Sequence, residues 1–170
     1  MLSFDIRSLE SKAEQVNGSL SPDDPVWEKG DAVPAKPVQV SGRLSSANEG
    51  RFYFSGRLKG EVAMPCRRCL EDVAVKVDDE VHLIFAENGA DEADDPDVFT
   101  YDRNVRELDL CPAIRENWLL VAPAYAQCRD NCKGLCPICG RNLNDGTCQC
   151  VPVNRDNRWD ALLPLRGDAR

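Results

Sequence analysis

From Val38 onward the chain alternates apolar and polar positions. Val38, Val40, Gly42 and Leu44 keep one beat, and after the stretch Ser45 to Gly50 it resumes at Phe52, Phe54 and Gly56. Val62 and Met64, then Val73, Val75 and Val77, then Val81, Leu83 and Phe85 continue it. A period of two is the mark of a strand with one face buried and the other wet. Residues 35–86 are therefore expected to form an antiparallel β-meander, strongly curved or closing into a partly open barrel.

The flanks carry other patterns. Residues 1–34 are broken at Asn17-Gly18, Ser21-Pro22, Asp24-Pro25 and Val33-Pro34, and turn signals at that density predict an irregular segment. Residues 87–97, ENGADEADDPD, hold no large apolar side chain; they bury too little to offset the entropy of ordering and are expected as a loop that leads into an extended stretch ending near 104. Leu110, Ile114 and Trp118 then recur every four residues, which predicts a helix within 105–124. Asp109 is its candidate N-cap, Pro112 falls in the first turn where a missing N–H is tolerated, and Pro123 marks its end. Residues 125–170 contain a cysteine cluster and a short apolar tail, Trp159, Leu162, Leu163 and Leu165, expected to pack back on the β-domain. The fold class expected is α+β: a curved antiparallel sheet, one main helix and a Cys-rich C-terminal module.

Composition changes this picture little. Of 170 residues 42% are apolar, but only 6% are aromatic, and glycine and proline number eleven each, which fits short elements and many turns. Charge is more informative. The formal net charge is −8, and Glu87 to Asp109 alone holds nine acids against two arginines. The remainder is nearly neutral and carries no long basic stripe, so RNA contact would have to be small and docking on a protein is an equal expectation. Met1 to Glu10 form no apolar signal core, and no segment approaches the roughly 18 apolar residues of a membrane span. The expected location is cytoplasmic. In such a reducing compartment, nine cysteines point to metal binding or chemistry rather than disulfides.

Six of the nine, Cys128, Cys132, Cys136, Cys139, Cys148 and Cys150, lie in one short stretch. Cys136-Pro-Ile-Cys139-Gly140 has the form of a zinc knuckle: two intervening residues let both sulfurs reach one ion, and the glycine permits a left-handed turn. Cys148 and Cys150 would complete a tetrahedron. Residues two apart in a strand face opposite ways, so they share an ion only if Gln149 bends; otherwise Cys132 is the substitute. Cys66-Arg67-Arg68-Cys69 is a second pair. It is readable as a redox pair, as half of a second metal site completed by Cys128 and Cys132, or as a turn whose arginines meet phosphate or solvent. Cys111 has no partner at ligand spacing and is expected as a small core residue.

Catalytic patterns do not emerge. The single histidine, His82, falls on an expected strand without a nucleophile at diagnostic spacing, and there is no phosphate loop, nucleophile elbow or metalloprotease helix. Asp94, Asp95 and His82 are the residues a metal-dependent hydrolase would have to use. If all cysteines around zinc are ligands, no coordination position remains for water, and the site is structural. The chain is therefore expected not to be an enzyme.

Several of these features occur together in a known family. Cys66-x-x-Cys69-Leu70 after a strand, an acidic stretch, a helix leading to Pro123, then Cys-Lys-Gly-Leu-Cys-Pro-x-Cys-Gly-x-Asn-Leu-Asn and a closing Cys-x-Cys resemble the YceD family of large ribosomal RNA subunit accumulation proteins. The likeness spans roughly residues 35–165, and residues 1–34 offer no motif that aligns. The resemblance implies support of 23S rRNA accumulation or processing and of large-subunit assembly, in bacteria or organelles of bacterial descent. Its partners would be precursor 23S rRNA or a large-subunit ribosomal protein, with no membrane and no small-molecule substrate.

Overall fold

The computed structural model describes residues 2–48, 50–90 and 95–151. Its elements are β1 (Ser3–Asp5), α1 (Ile6–Ser11), β2 (Glu14–Leu20), β3 (Val38–Asn48), β4 (Arg51–Pro65), β5 (Asp72–Glu87), β6 (Val98–Tyr101), β7 (Glu107–Asp109) and α2 (Cys111–Val121). The architecture is α+β. Five strands form one mixed sheet in the order β2-β3-β4-β5-β6, which does not close on itself, and β1 pairs with β7 in a separate ribbon. The strands run antiparallel from β2 to β5, whereas β6 lies parallel to β5. That parallel strand departs from the simple meander.

The alternation seen in the sequence becomes a buried face. Val16, Val38, Val40, Leu44, Phe52, Phe54, Leu58, Val62, Val81, Leu83 and Phe85 are all buried in one cluster with Leu110, just before α2, and with Ile114 and Trp118 of that helix. Two close approaches need glycine. Gly42 and Gly56 are cross-strand partners, and a Cβ at Gly56 would lie 2.5 Å from the Phe54 ring; the bare backbone lets that ring lie across the strands. A Cβ at Gly60 would fall 2.6 Å from Trp118 Cζ3, so this gap seats the helix on the sheet. The Trp118 indole N–H donates to the Ala32 carbonyl at 2.8 Å, and Arg115 donates to both Asp31 oxygens at 2.7 and 3.1 Å. These bonds strap residues 31–32 to the helix. The bidentate Arg115 fork also holds the Asp31 carboxyl below its ordinary range, helped by a backbone N–H donated by Glu28.

Three expectations need correction. Residues 1–34 are not irregular throughout, since β1, α1 and β2 lie within them. Asn17-Gly18, which looks like a turn, sits inside β2, paired with Ser41 and Val40. The reason is long-range pairing: β1 is held by a strand over 100 residues away, Ser3 opposite Asp109, and no local pattern reports such a partner. The helix begins only at Cys111, because Glu107–Asp109 is occupied as β7. Asp109 is not its N-cap; Leu110 is, while the Asp109 carboxylate accepts from the Cys111 N–H at 2.9 Å. The apolar tail with Trp159, Leu162, Leu163 and Leu165, and Asp91, Glu92 and Asp94 of the acidic run, lie outside the described residues.

Candidate metal centres

Cys66 and Cys69 sit in the tight connection between β4 and β5, and the chain returns to them after α2. Cys66 forms a parallel bridge with Ala126, and the Arg67 N–H donates to the Ala126 carbonyl at 2.9 Å. This brings Cys128 and Cys132 beside the pair. The sulfurs of Cys69 and Cys128 are 3.6 Å apart, and those of Cys66 and Cys132 are 4.0 Å apart. All four sulfurs lie within 4.8 Å of one another. A tetrahedral ion with metal–sulfur bonds of about 2.3 Å requires sulfur separations near 3.8 Å, which the two measured distances bracket.

Cys136, Cys139, Cys148 and Cys150 form a second group with all sulfurs within the same 4.8 Å. Residues 146–150 have no strand structure, so the alternation of an extended chain does not separate Cys148 from Cys150. Cys132 belongs to the other group. The two sets differ in exposure: Cys66, Cys69 and Cys132 are buried, whereas of the second set only Cys136 is.

The two knuckles are copies of one backbone motif. In the first, the Leu70 N–H donates to the Cys66 carbonyl at 2.9 Å and the Cys66 N–H to the Glu71 carbonyl at 2.8 Å; in the second, Gly140 donates to Cys136 and Cys136 to Arg141 at the same distances. The sulfur contacts match as well. Arg68 N–H approaches Cys66 Sγ at 3.5 Å, and Ile138 N–H approaches Cys136 Sγ at 3.4 Å. The turn needs a positive φ after the second cysteine, 70° at Gly140 and 61° at Leu70. A leucine in that region is unusual and costs roughly 1–2 kcal/mol, so its sequence concealed the equivalence.

These donors shape the thiols. Burial works against a thiolate at Cys66, yet the N–H groups of Arg68, Cys128 and Cys69 outweigh it and bring the group down to about 6. The N–H groups of Cys139 and Ile138 bring Cys136 to about 6 in the same way. Their companions move oppositely. Cys69, which receives the Glu71 N–H, is still pushed up to about 12 by burial and by the neighbouring sulfurs, and Cys150 is raised to about 12 first by the sulfur of Cys139. Four thiols this close resist ionising together unless a cation supplies the opposing charge.

Residues not anticipated as part of the site join the two groups. Asn144 donates to Cys132 Sγ at 3.4 Å while its oxygen accepts from the Lys133 N–H at 2.8 Å. Asn142 donates to Glu71 Oε1 at 2.7 Å. Gly134, at φ 74°, lies so close to the Arg68 carbonyl that a Cβ would approach it to 2.9 Å. All three belong to the Gly-Leu-Cys-Pro-x-Cys-Gly-x-Asn-Leu-Asn block, whose spacing was the only available signal of their role.

The other candidate residues stand elsewhere. His82 is exposed on β5, and its Nδ1 lies 2.8 Å from the Tyr53 hydroxyl. The Asp95 carboxylate accepts from the Asp97 N–H at 3.0 Å, closing a local turn. Cys111 is half-buried against the core, and burial, with the Asp109 carboxylate beside it, pushes its thiol to about 12. Among the described residues, no third grouping of His, Cys, Asp and Glu ligand atoms is close enough to hold an ion, and no helix is long and apolar enough to cross a membrane.

An open α+β sheet with two four-cysteine knuckles, either of which could hold a metal ion, therefore defines the class of protein. The chain belongs to the family described as large ribosomal RNA subunit accumulation protein YceD, whose model matches residues 54–166. It is 28% identical to the large ribosomal RNA subunit accumulation protein YCED homolog 1, chloroplastic, of Zea mays, over 80% of this chain and 55% of that protein. The homologue in Arabidopsis thaliana is 26% identical over 76% of this chain and 49% of its own length. The uncharacterized protein YlbN of Bacillus subtilis is 28% identical over 62% of this chain and 60% of its own. The chain thus spans about half the length of the plant relatives it matches. No solved structure matches it.

Proposed function

We propose that this chain is a non-enzymatic ribosome-biogenesis factor that supports 23S rRNA accumulation or processing and large-subunit assembly. Cys66, Cys69, Cys128 and Cys132 hold one zinc ion, and Cys136, Cys139, Cys148 and Cys150 hold another. The observation that supports this reading is the pairing of family membership with two sets of four sulfurs, the members of each set all within 4.8 Å of one another. Zinc suits such a thiolate set, and a shell closed by four protein ligands leaves no position for a reacting water. The ions then act on the fold. The first ties the β4–β5 connection to the chain beyond α2, and the second closes the tip of the module. The partner is precursor 23S rRNA or a large-subunit ribosomal protein, met where large subunits assemble, the cytoplasm in a bacterial cell. A membrane or a small-molecule substrate has no part in this reading.

Two other readings compete. A metal-dependent ribonuclease needs an open metal position, and the described candidates His82 and Asp95 are occupied by Tyr53 and a local turn. A redox regulator acting through Cys66 and Cys69 would show a reversible disulfide between them in cells. Elemental analysis separates the cases: two zinc ions per chain, one lost in Cys69→Ser and one in Cys139→Ser, are expected. In cells, depletion should lower 23S rRNA relative to 16S rRNA, and the protein should sediment with precursor particles. Unchanged ratios and no association with assembling subunits would refute the role.

A further inference from the structure

We propose that the recess between β6 and β7 is a docking site for an extended, lysine- and arginine-rich protein segment with one apolar anchor; this deepens the ribosome-biogenesis reading, rests on it, and selects its protein partner over its RNA. The recess measures about 240 Å³ and is lined by Phe85, Phe99, Tyr101, Val105, Leu108 and Ala113 among others. The Phe99 ring is only partly buried, its centroid 5.8 Å from that of Phe85, and Val105 is 43% exposed. Water lying on such a lining returns to bulk when an apolar side chain replaces it, which is the reason for the anchor. The backbone supplies the reason for an extended shape. β6 ends the five-stranded sheet and β7 pairs only with β1, so each has one edge without a strand partner among the described residues. A chain laid along such an edge gains main-chain hydrogen bonds, and a pocket beside it selects the side chain that enters.

Charge chooses the occupant. Asp102, Glu107 and Asp109 also line the recess, and no lysine or arginine does. All three are exposed. Their hydrogen bonds come from neutral donors: the Asn104 N–H and side-chain amide to Asp102, the Ser3 hydroxyl to Glu107 at 2.7 Å, and the Cys111 N–H to Asp109 at 2.9 Å. None of the three has an ion-pair partner among the described residues. The nearby arginines do not cancel them. Arg103 reaches Glu87 at 3.8 Å and lines a separate cavity with Glu10 and Glu87, while Arg7 and Arg106 are exposed outside the lining. From that neighbouring cavity Glu87 and Glu10 add to burial in pushing the Tyr101 phenol up to about 12, so the negative field extends past the recess itself. The three carboxylates do not form a grouping close enough to share one metal ion. Cations spaced along a chain match them where a single ion does not, and RNA, a polyanion, is repelled.

The test measures fluorescence anisotropy of a labelled synthetic peptide, alternating lysine and arginine around one central phenylalanine, with the full-length protein. Asp102→Asn, Glu107→Gln and Asp109→Asn together should weaken binding about tenfold, at about 1.5–5-fold for each exposed charge pair lost; the amide oxygens keep the acceptors that the local fold uses. Asp72→Asn, Asp79→Asn and Asp130→Asn together remove equal charge outside the recess and should leave the affinity within about twofold. Serine in place of the peptide's phenylalanine should cost about tenfold or more, and Val105→Arg, which sets a cation at the mouth, about tenfold. Undiminished binding in the recess triple variant, an equal loss in the outside triple variant, or equal affinity for the serine peptide overturns the proposal. So does displacement by a synthetic peptide of residues 152–170 at lower concentration than the unlabelled basic peptide, which gives the recess to the chain's own C-terminal segment. Single-stranded RNA that binds more tightly than the peptide and is lost in Val105→Asp gives it to RNA, and overturns it equally. The cellular role is read separately: peptide binding with 23S rRNA unchanged on depletion refutes that role and leaves this site, and a fall in 23S rRNA on depletion without peptide binding does the reverse.

Discussion

Cys69→Ser is expected to weaken the whole sheet, whereas Cys139→Ser should disturb only the tip of the module. Cys69 and Cys128, whose sulfurs nearly touch, are 59 residues apart in sequence, and the loop between them contains β5, β6, β7 and α2. A cross-link over that span removes about 4 kcal/mol of chain entropy from the unfolded state. The second site joins Cys136 to Cys150 inside one short stretch; a loop of about 15 residues is worth about 3 kcal/mol, and it encloses no strand of the sheet. For a chain of this size each kcal/mol moves the unfolding midpoint by about 2–4 °C, so losing the first tie should lower the sheet's midpoint by about 8–16 °C. On the proposed two-zinc reading, calorimetry and far-ultraviolet circular dichroism of the variants read this, with elemental analysis expected to find one ion fewer in each than in the wild type. Equal midpoints for Cys69→Ser and the wild type, with one ion gone, would refute the idea that the first site ties distant segments together. So would an equal drop in both variants.

Trp118→Ala should cost about 3–5 kcal/mol in urea denaturation, because a fully buried indole is removed and the Ala32 carbonyl loses its donor. Gly60→Ala is expected to destabilise by about 1–3 kcal/mol in the same assay, since the new methyl meets the Trp118 ring. Leu70→Gly should stabilise the protein by up to about 1 kcal/mol, relieving a positive φ at a 63% exposed side chain; a clear loss of stability there would show that Leu70 packs against something. The Asp31 carboxyl is held below its ordinary value by Arg115, so its contribution is complete above the unfolded value of about 3.9 and is lost as pH falls through the lower folded value. The stability gap between wild type and Asp31→Asn should therefore be constant near neutrality and close in acid, as measured by denaturant midpoints across pH.

The sheet was legible along the chain from Val38 to Phe85 because burial on one face writes a period of two directly into the residues, and the cysteine clusters were legible because their sulfurs recur at the short spacing from which four could reach one ion. Spacing offered both groupings, the second as one of several readings of Cys66 and Cys69; the return of the chain past Ala126 is what brings Cys128 and Cys132 beside that pair. The β1–β7 ribbon, the parallel placement of β6 and the strand around Asn17-Gly18 were hidden, since each is held by a partner remote in sequence whose contribution local propensity does not encode. Leu70 hid the kinship of the two knuckles for a related reason. Its backbone accepts a left-handed turn because the hydrogen bonds around Cys66 require it, and tertiary demand of that kind overrides the preference of a single residue.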